Sequence, residues 1–279
     1  MTEREYRQHP AISRSDLWRM HESPEKFKWF KDHPPDPTPA LLFGRVVHKL
    51  ILQPELFDED FVLAPDIDKR TKAGKEAIQA WTETVGDRTI ISADDYKRAF
   101  LMARTVKANR LATKLLEDNH DIVTLTGQHE VPFFWTDADT GEECKCRCDA
   151  LTVIDDRIVI VDYKTTGSAK TDVFNQSIFR FGDHFQAAMY ATGVQAAMDL
   201  DYLPDFLFIV QEKTAPFSIN VVRIPETVMQ AGLDVYREYL GIYHECKETD
   251  YWYGYNGPFN EPTEAYCPGW MQLGVEDDE

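Results

Sequence analysis

Two aspartates and a lysine stand out by type and spacing. The segment Cys148-Asp149-Ala150-Leu151-Thr152-Val153-Ile154-Asp155-Asp156-Arg157-Ile158-Val159-Ile160-Val161-Asp162-Tyr163-Lys164 holds two β-branched runs that meet at Asp155-Asp156. A two-residue hairpin turn is the simplest connection, although Asp-Gly would suit it better. With Ile154 facing Arg157, Asp149 falls opposite Asp162 and Arg147 opposite Lys164. Strand side chains alternate, so Asp162 and Lys164 share a face, and in this register Asp149 joins them. Facing Cβ atoms lie about 4.5–5.5 Å apart. Two carboxylates at that separation repel unless a cation or a proton sits between them. Hard oxygen ligands of this kind suit Mg²⁺ or Mn²⁺. One or two such ions can orient a water, lower its pKa and stabilise a leaving oxygen in phosphodiester hydrolysis. Lys164 can then neutralise developing charge or help place the water. A solvated strand end carrying a Lys–Asp pair fits the same spacing equally well.

The elements that must position these residues follow from pattern. Residues 12–33 read as a helical start, capped by Ser13 or Ser15, with Leu17, Trp18, Met20, Phe27 and Phe30 as its apolar face. Pro34, Pro35, Pro37 and Pro39 break the chain. Residues 40–52 form a mostly buried helix that carries His48. Residues 53–90 are polar and irregular, with a helix around Lys72–Thr84. Residues 92–118 form a long amphipathic helix with Ser92 as N-cap. Strands are predicted at 121–136, 143–154 and 157–164, a helix at 183–199, strands at 205–212 and 217–223, and a helix at 226–247. This order predicts the α/β class: a mixed central sheet flanked by helices, with a helical N-terminal portion. One domain is expected over 1–279, mainly helical over 1–118, with the sheet core at 119–250 and a tail at 251–279.

Composition bounds the alternatives. With 43% hydrophobic residues, 16 Phe, 12 Tyr and 6 Trp, the chain can bury a sizeable core. No run approaches the ~20 apolar residues of a membrane span. The polar start MTEREYRQHP has no signal-peptide core, so a soluble cytoplasmic protein is expected. Five cysteines without a secretory signal argue against a disulfide framework. Alternation turns Cys144, Cys146 and Cys148 away from the proposed site, toward apolar packing. Cys246 and Cys267 do not complete a four-cysteine cluster pattern. Net charge is −18, from 48 acidic and 30 basic residues, which by itself argues against nucleic acid. Net charge does not set local potential, however, and bound divalent cations offset carboxylates. The acidic end Val275–Glu279 reads as a solvated tail.

Asp149, followed 13 residues later by Asp162-Tyr163-Lys164, resembles the D…(D/E)-x-K motif of the PD-(D/E)XK nuclease superfamily. Gly44-Arg45-Val46-Val47-His48 resembles the G-x-x-x-H motif upstream of RecB-like nuclease cores. Gln186-Ala187-Ala188-Met189-Tyr190 resembles their Q-x-x-x-Y helix. Ile12-Ser13-Arg14-Ser15-Asp16-Leu17 with Ser23-Pro24 resembles the S-x-S-x-L…(C/S)-P opening of the same group. The four together, in order over roughly residues 12–195, are most similar to phage and prophage RecE-like exonucleases of the exonuclease VIII type, relatives of phage lambda exonuclease. Two positions depart from the pattern. Cys148 stands where the motif has proline, a position without chemistry. Asp162 stands where Glu is also found, which shortens its reach by one methylene.

That resemblance implies a restriction-endonuclease-like core and a Mg²⁺- or Mn²⁺-dependent exonuclease. It would degrade one strand of linear duplex DNA from its 5′ end and expose single strands for recombination. It implies a ring-shaped homo-oligomer threaded by DNA and a single-strand annealing protein as partner. Carried over by residue, Asp149 and Asp162 would be metal ligands, Lys164 the catalytic lysine, and His48 a ligand or a neighbour of the metal. Glu130 is a further acid on the preceding strand. Gln186 and Tyr190 share a helix face and would contact DNA or brace the site. Arg45, Lys145 and Arg147 flank the site and, with Ser13, Arg14 and Ser15, are candidate phosphate contacts; any of these charges can equally be a solvated one. His48 can equally be a hydrogen-bonded core residue. Trp18, Phe27, Trp29 and Phe30 fit a core better than a base-stacking platform. A CRISPR-adaptation-type or structure-specific nuclease, or a nuclease-like module without turnover, would share the same motifs.

Overall fold

Short polar residues start most of the helices. The computed structural model describes residues 1, 3–68, 70–117 and 128–266. In chain order it contains α1 (Glu3–Gln8), β1 (Ile12–Ser13), α2 (Arg14–Leu17), a 3-10 turn (Trp18–His21), α3 (Pro24–Asp32), α4 (Pro39–Leu52), a further 3-10 turn (Pro54–Leu56), α5 (Phe57–Asp60), β2 (Phe61–Leu63), α6 (Lys72–Val85), β3 (Thr89–Ile91), α7 (Ala93–Ala108) and α8 (Arg110–Glu117). Then follow β4 (His129–Thr136), β5 (Glu143–Ile154), β6 (Arg157–Thr166), α9 (Thr171–Arg180), α10 (Asp183–Ala197), β7 (Asp205–Glu212), β8 (Ile219–Arg223) and α11 (Glu226–Thr249). Ser13 closes a capping box with Asp16. Ser23 and Thr38 cap α3 and α4, each followed by a proline whose missing N–H costs nothing at that position.

Two helices predicted as continuous are divided. The stretch 12–33 holds a short strand, two helices and a 3-10 turn, because Ser23-Pro24 begins a new helix. The stretch 92–118 breaks at Asn109, whose side chain accepts the N–H groups of Leu111 and Ala112 and so caps α8. Of the strand predicted over 121–136, residues 121–127 lie outside the described residues, as do Cys267 and the acidic tail.

The sheet is mixed. Its order is β1-β5-β6-β7-β8, with β4 paired to β5. The β4–β5, β5–β6 and β7–β8 pairs are antiparallel; β1–β5 and β6–β7 are parallel. β2 and β3 form a separate parallel pair. Alternation along β6 sends Ile158 and Ile160 to one face and Val159, Val161 and Tyr163 to the other. The first face packs with Phe206 and Phe208 under α10 and α11, through Ala187, Ala188, Tyr236 and Leu240. The second packs with Ile209 under α4, α7 and α8, through Val47, Leu50, Met102 and Leu115. Gly232 of α11 leaves no room for a Cβ against the His184 carbonyl, so α10 and α11 pack closely. The result is a mixed sheet flanked by helices, as expected. Among the described residues, no helix is long and apolar enough to cross a membrane.

Candidate active site

The hairpin register follows the one expected from sequence, and then stops. β5 and β6 pair from Ile154↔Arg157 to Ala150↔Val161. Beyond that point the Tyr163 N–H is bound by a side chain: it donates to Asp149 Oδ2 at 2.7 Å. The reason is a fork in the sheet. Lys145 pairs both with Phe134 of β4 and with Ser13 of β1, so β1 lies on the edge of β5 away from β4. Ala150 pairs with His129 of β4 and Val161 of β6, so β6 lies on that same edge. Between the two partners the edge of β5 is open, and the Asp149 carboxylate fills the gap in the plane of the sheet.

The strands also change phase there. In β4, Val131, Phe133 and Trp135 face the α10 layer. His129 instead turns to the Leu52 and Leu116 carbonyls on the other side. In β5, Cys144, Cys146 and Cys148 belong to the α10 layer together with Leu151, which alternation alone would place opposite them. The pivot is Glu130, a non-glycine residue at φ +58°. That conformation costs about 1 kcal/mol or more and persists only where neighbours hold it. Here Arg147 Nε reaches Glu130 Oε2 at 2.6 Å. The phase change corrects one expectation: the three thiols lie on the face from which Asp162 and Lys164 project. Cys144, Cys146, Cys148 and Cys246 are buried and form no disulfide among the described residues.

The turn at Glu130 brings three groups together. Ligand atoms of His48, Glu130 and Asp149 all lie within 4.8 Å of one another. α4 delivers His48, whose Nε2 is 2.7 Å from the Tyr163 carbonyl oxygen. A carbonyl only accepts, so Nε2 carries the proton and Nδ1 keeps its lone pair, 3.6 Å from Asp149 Oδ2. An imidazole oriented by a backbone carbonyl is a common arrangement behind a metal ligand. Burial pushes the His48 pKa down, which keeps the ring neutral. Burial pushes the Asp149 pKa up, and the Asp162 and Glu130 charges push it further. Carboxylates crowded in this way at low solvent exposure repel one another unless a cation or a proton lies between them.

The other half of the site stands on β6 and α10. Asp162 Oδ1 accepts from Gln186 Nε2 at 2.5 Å. Lys164 Nζ donates to Gln186 Oε1 at 2.6 Å and lies 3.2 Å from Asp162 Oδ2 and 3.4 Å from Asp183 Oδ1. Burial disfavours the Lys164 charge, but Asp162 and Asp183 outweigh it and raise its pKa. Asp162 Oδ2 is buried and accepts no hydrogen bond among the described residues, although Lys164 Nζ lies 3.2 Å away. A buried carboxylate oxygen without a donor fits a cation at this edge of the site. The converging donors, the Glu130 and Asp149 carboxylates and the neutral His48 imidazole, suit a divalent ion of the Mg²⁺ or Mn²⁺ kind, with Asp162 alongside.

The remaining candidates divide. Arg147 is paired with Glu130 at the site, and Arg45 lies beside it, 3.6 Å from Glu3. Lys145 is buried and gives its ammonium to the Tyr6 and His9 carbonyls, holding the end of α1 rather than facing solvent. Ser13 is occupied as an N-cap, and Ser15 is exposed beside it. Tyr190 packs against Phe206, so it braces α10 on the sheet. Phe27 is core, whereas Trp29 is exposed, stacked on His33. Two contributors escaped the sequence: the Tyr163 backbone, whose side chain gives no hint of it, and Asp183. An acid one turn before Gln186 on the same helix face was the available signal for the latter.

One solved structure, described as "Putative exonuclease" from Eubacterium rectale, is similar over 99% of this chain and 98% of its own. At 14% identity and a TM-score of 0.61, the likeness shows the fold. A second, SSO0001, covers 71% of this chain and 85% of its own at 12% identity, with a TM-score of 0.31, too low to support a shared fold. No curated protein matches the sequence. The family model described as "PDDEXK-like domain of unknown function" (DUF3799) matches residues 13–260, a span that holds His48, Glu130, Asp149, Asp162, Lys164 and Gln186, and the chain belongs to this family.

Proposed function

We propose that the chain, acting as one domain over residues 1–279, is a divalent-metal-dependent exodeoxyribonuclease that degrades one strand of linear duplex DNA in the 5′→3′ direction. The observation that carries this reading is the joining of the His48–Glu130–Asp149 group to Asp162, Lys164 and Gln186 at a single fork in the sheet. Family membership and the fold of the neighbour described as "Putative exonuclease" support it.

Asp149, Asp162, His48 and Glu130 would hold the ion. When bound, Mg²⁺ or Mn²⁺ supplies a water of lowered pKa and polarises a phosphate oxygen. Tyr163 does two things through its backbone: its N–H fixes Asp149 and its carbonyl fixes His48. Gln186 bridges Asp162 and Lys164, so the carboxylate and the ammonium keep a set separation. Lys164 stays charged beside Asp162 and can donate to a non-bridging phosphate oxygen as negative charge builds there. Arg45 and Arg147, paired with Glu3 and Glu130 in the free protein, would supply positive charge to phosphate at the rim of the site despite the acidic total. A ring of subunits would keep DNA on such a rim and the acidic exterior away from it. A single-strand annealing protein would then receive the exposed strand.

End-labelled linear duplex tests the proposal. With Mg²⁺ or Mn²⁺, label at the 5′ end is released as mononucleotide while 3′ label persists on shortening strands; chelator stops both. DNA left intact with either ion would refute nuclease action. Loss of 3′ label first would reverse the polarity alone. Light scattering reads the ring.

A further inference from the structure

Two cations from distant parts of the chain meet one carboxylate beside the end of β6. Asp183 Oδ1 lies 3.4 Å from Lys164 Nζ and 3.9 Å from a terminal nitrogen of Arg14. Both are ionic distances, longer than hydrogen bonds. Arg14 spends one terminal nitrogen on the Phe181 carbonyl at 2.5 Å, and its Nε–H is buried without an acceptor among the described residues. A buried guanidinium N–H left unmatched is costly, and native structures keep few of them. Among the described residues, Lys164 makes one hydrogen bond, to Gln186, and faces Asp162 and Asp183 only at ionic range. Both side chains keep an opening to solvent, 21% for Arg14 and 26% for Lys164, while that of Asp183 keeps 10%. Asp183 opens α10 behind Gly182, at φ +69°, and no side chain caps that helix.

We propose that Arg14 and Lys164 form a seat for one phosphate of the DNA strand, and that Asp183 is its internal occupant, displaced when DNA arrives. One carboxylate oxygen reaches neither cation well. A phosphodiester, with two non-bridging oxygens on a tetrahedral centre, can meet both cations at about 2.8 Å. Asp183 meanwhile holds the two like charges together in the free protein, which makes it a positioning residue. The inference rests on DNA being the substrate.

Binding of a short fluorescent duplex is measured by anisotropy in chelator, so that no cleavage intervenes. Asp183→Asn should tighten binding about two- to fivefold, the size of one partly screened charge pair. Arg14→Ala should weaken it, and the gain from Asp183→Asn should vanish when Arg14 is already Ala, as in a double-mutant cycle of coupled groups. A gain of equal size in both backgrounds would mark a general loss of negative charge, and no gain would mean that phosphate does not compete with Asp183; either ends the proposal. Should Asp183→Asn melt early, Asp183→Ser is read in the same cycle. Wild-type protein that fails to bind DNA at all would remove the DNA reading along with it; binding with a flat cycle removes this inference alone.

Discussion

Asp149 occupies the place of a backbone partner for Tyr163, accepting its N–H at 2.7 Å where the β5–β6 ladder ends. A side chain that replaces a ladder bond is fixed at two points, by its own strand and by the neighbour. It would therefore make a rigid metal ligand. It is also costly to ionise, because burial and the Asp162 and Glu130 charges raise its pKa. A divalent ion that binds only the folded state should stabilise it by about 2.7 kcal/mol at a hundred times its dissociation constant. Mg²⁺ or Mn²⁺ should accordingly raise the melting temperature of the wild type, and Asp149→Asn should lose that increase while melting no lower in chelator. An equal metal-induced shift in the variant would take Asp149 out of the ligand set.

Lys164 and Gln186 are separable in the same way. Lys164→Ala should lower turnover about 10²–10³-fold, the usual cost of removing one donor to developing charge. Gln186→Ala leaves the ammonium but frees its position relative to Asp162, and should cost about 10–100-fold, as for other groups that orient a ligand. Single-turnover cleavage of saturating duplex measures both. A Gln186→Ala variant as active as wild type would make the glutamine a packing residue only.

The bend at Glu130 can be tested through stability. Glu130 sits at φ +58°, where glycine has no steric cost. Glu130→Gly and Glu130→Ala both remove the contact to Arg147, and only the alanine retains the strained backbone. The glycine variant should therefore be the more stable of the two by about 1 kcal/mol in urea unfolding, offset in part by the entropy glycine adds to the unfolded chain. Equal stabilities would mean that the left-handed geometry is not maintained in solution.

How much of this was legible beforehand differs by level. Alternating β-branched runs around Asp155-Asp156 gave the correct register down to Ala150↔Val161, because the turn and the apolar pattern both depend on local sequence. The order of elements gave the mixed sheet for the same reason. The fork was not legible: it depends on β1, two residues long, taking the edge that β6 leaves. Without the fork, Asp149 and Asp162 read as facing partners on one surface, and the thiols as lying behind them. The phase change at Glu130 was hidden as well, since glutamate carries no propensity for positive φ. Lys145 read as a candidate phosphate contact because the carbonyls of Tyr6 and His9, which receive it, are brought there only by tertiary packing.

The far end of the β4–β5 hairpin makes a prediction about pH. Glu142 is buried and accepts from Lys247 Nζ at 2.7 Å and pairs with His244 Nδ1 at 3.0 Å, tying the hairpin to α11. Burial works to raise the Glu142 pKa, but the bonds from Lys247 and His244 outweigh it and hold the carboxyl below its ordinary value. Asp137 is held low in the same manner: burial is overcome by the Thr140 bonds and the Arg237 charge. A carboxyl with a depressed folded-state pKa contributes stability above its unfolded value, about 4.3 for glutamate. That contribution falls away as pH drops through the folded-state pKa. Stability should thus decline on acidification through and below about pH 4, and Glu142→Gln should be less stable than wild type at neutral pH and converge on it in acid. Urea midpoints taken from pH 7 downward would show the two curves closing; curves that stay parallel would mean that the Glu142 charge contributes nothing to holding α11 on the hairpin.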